Sequence, residues 1–113
     1  NVYILTSPYT VSAAETTTIA TMNFPNFTII GDRTVGALSD VLYKRLPNGW
    51  VYFLSNEVYE TMNGELFEVT GIPPNHKIDY PKEEAELFKS MNLEFDTKDR
   101  AIEKVKELIK SYD

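Results

Sequence analysis

Short apolar runs separated by turn residues organise the first third of the chain. Residues 2–6 are apolar and rich in strand-forming side chains, and Pro8 ends this run because proline lacks the N–H group that a sheet needs. Residues 12–15 predict the start of a helix, since a small hydroxyl residue precedes two good helix formers and an acid. Pro25 ends that helix, and residues 27–30 predict a second strand. The order strand, helix, strand predicts a βαβ unit whose parallel strands are buried on both faces.

The middle of the chain carries two hairpin signals. Residues 40–46 and 50–55 flank a Pro-Asn-Gly turn, and Asn-Gly is the dipeptide most typical of tight hairpins. Residues 58–61 and 66–69 flank a second Asn-Gly pair, at positions 63–64. The pattern therefore predicts two antiparallel hairpins after the βαβ unit.

The last third of the chain has helical periodicity. Residues 81–91 begin with proline at a first-turn position followed by acidic residues, which favours a helix. Asp96 or Thr97 is placed to cap a final helix that runs to about Tyr112. The apolar residues of this helix recur at helical spacing and predict one core-facing side: Ala101, Ile102, Val105, Leu108, Ile109 and Tyr112. We therefore predict an α/β chain that ends in helices.

Composition and charge exclude several classes of function. The 113 residues carry 11 basic and 17 acidic side chains, a net charge of −6, and they contain no basic run. Nucleic-acid binding needs a cationic surface, so we exclude it. Without cysteine, the chain has neither disulfides nor a thiolate metal site. Its apolar runs are far shorter than the roughly 20 residues that span a bilayer.

The first residues are unusual for a chain terminus. Residues 1–6 have the pattern of a strand with no preceding linker or cap. An edge strand at the terminus of a mature protein would explain this pattern. We favour the alternative, in which the chain is a piece of a larger domain.

One segment combines the features that nucleophilic catalysis needs. Ser12 lies between a strand end and a helix start, where its side chain can project into a cleft. The N–H groups in the first turn of a helix lack intrahelical acceptors, and the helix dipole favours negative charge there. The N–H of Ala13 could therefore donate to the oxyanion of an acyl-transfer intermediate. On these residues alone, a serine that only caps the helix is the commoner case.

The same segment resembles the nucleophile motif of a family of serine peptidases. The family includes the C-terminal processing (tail-specific) peptidases, the tricorn core protease and the interphotoreceptor retinoid-binding protein modules. The match to its Ser-Ala-x-Glu motif falls on residues 12–15. Residues 29–36 are similar to its strand and Gly-x-x-Thr-x-Gly turn, residues 47–50 to its hairpin, and residues 68–74 to its Glu-x-x-Gly-Ile-x-Pro-Asp segment. The resemblance spans about residues 3–112.

The resemblance implies a fold, a reaction and a set of site residues. It implies the α/β fold of the crotonase-like or ClpP-like protease core, with residues 1–113 as the C-terminal part of a serine peptidase domain. Ser12 is then the nucleophile that forms an acyl-enzyme, Ala13 contributes to the oxyanion hole, and Glu68 is the acid that orients a relay partner. The substrate is a peptide or protein, no metal or cofactor is required, and the missing part of the domain is a further partner. Because that missing part should cover part of the sheet, we expect that a second copy of the chain could pair with the strands left exposed. The family's usual setting implies an exported, extracytoplasmic parent protein.

Two positions depart from the family pattern. Processing peptidases carry a lysine base directly after the Thr-x-Gly turn, where this chain has Ala37, and Lys44 lies too far along the hairpin to replace it. The second departure is Asn75, where the family has aspartate. His76 is the single histidine and follows a Pro-Pro-Asn turn, where a solvated surface histidine is the default, so we do not assign it as the base. Without an upstream base, Ser12 is a poor nucleophile, and we expect the isolated chain to be inactive.

Two other functions stay open from the sequence. A non-catalytic module that binds peptides or apolar ligands would explain Ala37, because the retinoid-binding members share the scaffold. A purely structural domain would use Ser12 only as a helix cap. Glu15 is interpreted as a first-turn acid that the helix dipole favours. Outside a catalytic relay, Glu68 would be a solvent-facing residue on a hairpin strand.

Overall fold

The computed structural model of the chain describes residues 1–79 and 99–111. The helices and strands in these ranges are β1 (Val2–Thr6), α1 (Ala13–Thr21), β2 (Phe27–Gly31), β3 (Val41–Arg45), β4 (Val51–Ser55), β5 (His76–Lys77) and α2 (Arg100–Lys110). The helix predicted for residues 81–91 lies outside the described residues. Neither of the two helices in the described ranges is long and apolar enough to cross a membrane.

A parallel sheet with the order β1-β2-β5 forms the centre of the fold. β1 and β2 pair in parallel from Val2–Phe27 to Thr6–Gly31, and α1 connects them. This arrangement confirms the predicted βαβ unit and the α/β class. The second half of β2 is buried as expected. β1 is an edge strand among the described strands, and Val2 and Leu5 are 41% and 44% exposed, so the prediction of burial on both faces is wrong for β1.

β5 brings the single histidine into the sheet. This two-residue strand pairs in parallel with the end of β2, and His76 is half-buried. The prediction that His76 lies in a surface loop is therefore wrong. The pairing is fixed by Asn75, whose side-chain oxygen accepts a hydrogen bond from the Ile29 N–H at 2.7 Å. The Asn75 N–H in turn donates to the Ile29 carbonyl oxygen at 2.8 Å.

β3 and β4 form the first of the two predicted hairpins. They pair in antiparallel register along all five residues of each strand, which confirms this hairpin. The turn closes over the three residues Pro47 to Gly49, because the Leu46 N–H donates to the Trp50 carbonyl oxygen at 2.8 Å. Gly49 has a φ of 87°, as in a type I turn followed by one left-handed residue. Every residue of the two strands is exposed.

The second predicted hairpin keeps its turn, but its two predicted strands are wrong. The segments meet in a single antiparallel bridge, Glu60–Leu66, and residues 68–70 form a turn. The ladder ends there because the following residues bind another segment. The Val69 N–H donates to the Gly36 carbonyl oxygen at 2.6 Å, and the Glu68 side chain accepts from two N–H groups at positions 38 and 39.

The core joins α1 and β2 to the segments that follow β2 and β4. Its buried apolar side chains are Ile19, Ile29, Leu38, Phe67 and Ile72, and Met22 and Tyr59 pack against them. Ile30 is also fully buried. Because Leu38, Phe67 and Ile72 come from irregular segments, the core fixes the positions of loops as well as of regular elements.

α2 begins later than the sequence pattern predicts. Its cap is Asp99, whose carboxylate accepts from two N–H groups of the first turn at 2.8 and 3.2 Å. The assignment of the cap to Asp96 or Thr97 is therefore wrong. The predicted core-facing side is confirmed at Ala101, which is fully buried, and α2 packs on β2. It is wrong at Ile109, which is 50% exposed in the last turn of the helix. Tyr112 lies outside the described residues.

Candidate active site

Ser12 occupies a sharp turn between β1 and α1. Its backbone has a φ of 58° and a ψ of −126°, a conformation that residues other than glycine rarely adopt. Among the described non-glycine residues, Val69 is the other one with positive φ. Strained backbone is concentrated at functional sites. A strained strand-to-helix turn that exposes a serine is also the arrangement of a nucleophile elbow. Ser12 is exposed, as that arrangement requires.

Ser12 begins α1 as part of a capping box, and its hydroxyl proton is not used there. The Ser12 N–H donates to Glu15 Oε2 at 3.1 Å, and the Ser12 side chain faces the Glu15 N–H as the other half of the box. The Glu15 N–H also donates to the Ser12 carbonyl oxygen at 2.7 Å. In a capping box the hydroxyl oxygen acts only as an acceptor. Within the described residues the Ser12 hydroxyl donates no hydrogen bond, so its proton stays available for transfer to a base.

The N–H of Ala13 is an unused donor directly after Ser12. It donates to no acceptor in the described part of the chain. It belongs to the first turn of α1, where N–H groups lack helical acceptors and the helix dipole favours negative charge. A free donor beside an exposed serine is what a developing oxyanion requires.

Glu15 is the buried centre of this region. Its side chain is 0% exposed. Oε1 accepts hydrogen bonds from the Thr34 hydroxyl at 2.5 Å and the Gly36 N–H at 2.7 Å. Oε2 accepts from the N–H groups of Ser12 and Ala37 at 3.1 and 3.0 Å. The interpretation of Glu15 as a first-turn acid is correct for its place on α1, but it includes none of these four hydrogen bonds.

The segment after β2 lies directly against the Ser12 turn. The Ser12 N–H also donates to the Ala37 carbonyl oxygen at 3.1 Å, and the Val35 N–H donates to the Thr10 carbonyl oxygen at 3.0 Å. Position 37, where the resemblance expects a lysine base, is therefore adjacent to the serine in space. The methyl group of Ala37 cannot accept a proton.

Glu68 also binds the segment after β2, at the two residues that follow Ala37. Its Oε2 accepts hydrogen bonds from the N–H groups of Leu38 and Ser39 at 3.0 and 3.1 Å. The side chain is half-buried and begins the 68–70 turn, so the alternative of a solvent-facing Glu68 on a hairpin strand is wrong. Within the described residues, Glu68 makes no hydrogen bond with Ser12, and its Oε1 accepts none.

A general base for Ser12 is absent from its immediate surroundings in the described ranges. No histidine or lysine there forms a hydrogen bond with Ser12, and His76 and Lys44 belong to β5 and β3 instead. The described residues also hold no group of three or more acidic or histidine side chains that could bind a metal ion. The structure thus places Ser12 and Ala13 in one turn, and neither His76 nor Lys44 is hydrogen-bonded to Ser12.

Two raised pKa values belong to residues outside the Ser12 turn. The hydrogen bond to Glu57 raises the pKa of Tyr59. The hydrogen bond to Asp79, followed by the charge of that carboxylate, raises the pKa of Lys77. Neither group contacts Ser12 through a hydrogen bond in the described residues, so neither shift bears on its chemistry.

Comparisons with known proteins identify one protein family. The sequence profile of peptidase family S41 matches residues 1–78. A comparison with curated proteins gave no match.

Three solved structures illustrate the similarity of fold. A lipoprotein from Streptococcus agalactiae is 25% identical, with 79% of this chain and 29% of that chain covered and a TM-score of 0.57. The photosystem II D1 C-terminal processing protease is 22% identical, with 77% and 23% covered and a TM-score of 0.60. Mature CPAF complexed with lactacystin is 20% identical, with 66% and 15% covered and a TM-score of 0.60. The chain therefore spans between 15% and 29% of the length of these structures.

Proposed function

Because the chain belongs to peptidase family S41, we propose that it is part of a serine peptidase that cleaves peptide bonds through an acyl-enzyme on Ser12. The observation that carries this proposal is the exposed Ser12 in a strained strand-to-helix turn, followed directly by the unused N–H of Ala13. Although Ser12 takes part in a capping box, its hydroxyl donates no hydrogen bond within the described residues, so its proton is free to pass to a base.

The proposed reaction begins with attack of the Ser12 hydroxyl oxygen on the carbonyl carbon of a peptide bond. The hydroxyl proton passes to a base, and the carbonyl oxygen becomes an oxyanion that accepts a hydrogen bond from Ala13. When the tetrahedral intermediate collapses, the C–N bond breaks and the amine leaves with the proton from the base. Water then hydrolyses the ester, and Ser12 regains its proton.

Glu68 is proposed to orient the base through an intermediate group. One of its oxygens, Oε2, is held by Leu38 and Ser39, whereas Oε1 accepts nothing from the described residues. A fixed carboxylate with one free oxygen can accept a hydrogen bond from a neighbouring donor, as the acid of a catalytic triad does. In this proposal the base comes from another part of the protein.

Covalent labelling tests the role of Ser12. The full-length protein is treated with a fluorophosphonate, and the modified peptide is identified by mass spectrometry. We expect one adduct, on Ser12, that Ser12→Ala removes and that the matched variant Ser7→Ala keeps, because Ser7 lies outside the helix start. An adduct on another serine, or none on a folded protein, would remove Ser12 from its role.

A second function, a non-catalytic module that binds peptides or apolar ligands, is favoured by Ala37. Its carbonyl oxygen accepts the Ser12 N–H, so the position beside the serine that could carry a base carries a methyl group instead. This function predicts saturable binding of fatty acids, retinoids or peptides by a full-length protein that takes no label on Ser12. Labelling of Ser12 without such binding would contradict it.

We propose, from similarity to other proteins alone, that the full-length protein acts outside the cytoplasm. One of the similar structures is described as a lipoprotein, which agrees with an exported parent protein. Fractionation of cells that produce the full-length protein tests this location. Recovery of the protein entirely from the cytoplasmic fraction would contradict it.

A further inference from the structure

Glu15 is a buried carboxylate that no cation balances in the described part of the chain. Its side chain is 0% exposed, and none of the described ion pairs includes it. A buried charge is costly unless hydrogen bonds replace its hydration. Here four donors do so, two on each oxygen. Helix capping alone does not explain this burial, because the single hydrogen bond from Ser12 would be enough for a cap.

The four donors connect the two segments that meet at the reactive serine. Oε2 bridges the N–H groups of Ser12 and Ala37, so one oxygen atom fixes the separation of these residues. Oε1 takes the other two donors, from Thr34 and Gly36. Because Ser12 has a positive φ, its conformation needs bonds from outside the turn to persist. Glu15 supplies such a bond at the Ser12 N–H itself.

Thr34 extends this network toward Glu68. Its hydroxyl donates to Glu15 and accepts from the Ile72 N–H at 2.7 Å. Since a carboxylate only accepts, the direction of both bonds is fixed, and a side chain at position 34 must donate and accept at once. The Thr34 N–H also donates to the Ile72 carbonyl oxygen at 3.2 Å. The segment that begins with Glu68 is thereby tied to the same carboxylate.

We propose that Glu15, together with Thr34, is a positioning pair that holds Ser12 and Ala13 in the geometry of attack and keeps the Glu68 segment in register with them. This inference rests on the proposed function of Ser12. Glu15 is not the base in this scheme, because both of its oxygens are occupied and it has no exposed surface.

The substitution Glu15→Gln tests the pair in the full-length protein. Glutamine has nearly the same volume, but its NH₂ group would face donors where an oxygen now accepts two hydrogen bonds. We expect the rate of fluorophosphonate labelling at Ser12 to fall about 100-fold, and kcat for peptide hydrolysis to fall in parallel. KM should change less than threefold. The control Glu60→Gln, at an exposed position, should label at the wild-type rate.

Substitutions of Thr34 decide the question if Glu15→Gln does not fold. Thr34→Ser keeps a hydroxyl that donates and accepts, whereas Thr34→Val has the same shape and does neither. We expect Thr34→Ser to label at least tenfold faster than Thr34→Val when both are folded.

The outcomes separate this inference from the proposed function. Wild-type labelling and kcat in folded Glu15→Gln, or equal rates in the two Thr34 variants, would overturn the positioning role. So would a variant whose thermal stability falls while its folded fraction labels at the wild-type rate, since Glu15 would then be structural only. If the wild-type protein takes no label on Ser12, the proposed function itself fails.

Discussion

Two glycines allow the loops behind Ser12 to pack backbone against backbone. Gly36 has a φ of 82°, and a Cβ there would lie 2.5 Å from the Gly71 nitrogen. Gly71 has a φ of 72°, and a Cβ there would overlap the Thr34 carbonyl oxygen. Both requirements, a left-handed backbone and close approach, are met only by glycine. The geometry around Glu15 therefore depends on residues that have no side chain.

The substitution Gly71→Ala is expected to lower the free energy of unfolding by about 3 kcal/mol or more. The matched control is Gly64→Ala, because Gly64 has a similar φ of 81° but open space around it. It should cost about 1 kcal/mol, the penalty for the left-handed backbone alone. Urea unfolding followed by circular dichroism measures both. Equal costs would show that the loop contact at Gly71 contributes nothing.

The two-residue strand β5 is held by hydrogen bonds to a part of the chain that is distant in sequence. β5 has two residues, and Asn75 anchors it by exchanging two hydrogen bonds with Ile29. The amide oxygen of Asn75 is the acceptor, and aspartate offers an acceptor in the same place. The departure from the family pattern at position 75 thus keeps the contact that an aspartate would make.

Replacement of Asn75 tests this anchor. Asn75→Ala leaves the Ile29 N–H without its side-chain acceptor and is expected to lower the free energy of unfolding by about 1–2 kcal/mol. Asn75→Asp should cost less than half as much. Thermal and urea unfolding measure both variants. A destabilisation by Asn75→Asp as large as that by Asn75→Ala would show that the anchor requires more than an acceptor.

The parts of the fold that could be predicted are those encoded by neighbouring residues. The β1-α1-β2 unit and the first hairpin follow from apolar runs, proline stops and an Asn-Gly turn. β5 follows a Pro-Pro pair and is fixed by a contact 46 residues distant, so no local pattern indicates it. The second hairpin stops at one bridge because Glu68 and Val69 bind residues 36–39 instead, and the contact of Glu68 is with a residue 30 positions distant.

The same distinction holds for the site. The position of Ser12 and Ala13 at the start of α1 could be predicted because the signals of a helix start lie in consecutive residues. The hydrogen bonds to the Glu15 carboxylate could not be predicted. Three of the four donors belong to residues 34–37, which follow β2 and lie near Glu15 only in the folded chain. One signal in the sequence could indicate this contact: a first-turn acid occurs together with a threonine in a glycine-rich turn. Sequence spacing alone does not connect these two features.

At the scale of the whole molecule, the described residues hold only part of the proposed reactive centre. They include Ser12, Ala13 and Glu68, to which we assign the roles of nucleophile, oxyanion donor and acid, whereas no base forms a hydrogen bond with Ser12 there. The chain also spans at most 29% of the length of the similar structures described above, and its β3–β4 hairpin is exposed on both sides. These observations agree with a chain whose chemistry is completed by other parts of the protein.

A crystal structure of the phosphonylated full-length protein tests the central claim most directly. A fluorophosphonate adduct mimics the tetrahedral intermediate, so its phosphonyl oxygen stands in for the oxyanion. We predict a covalent bond from Ser12 Oγ to phosphorus, with the phosphonyl oxygen about 2.7–3.1 Å from the Ala13 nitrogen. A bond to another residue, or a phosphonyl oxygen directed away from Ala13, would contradict the account.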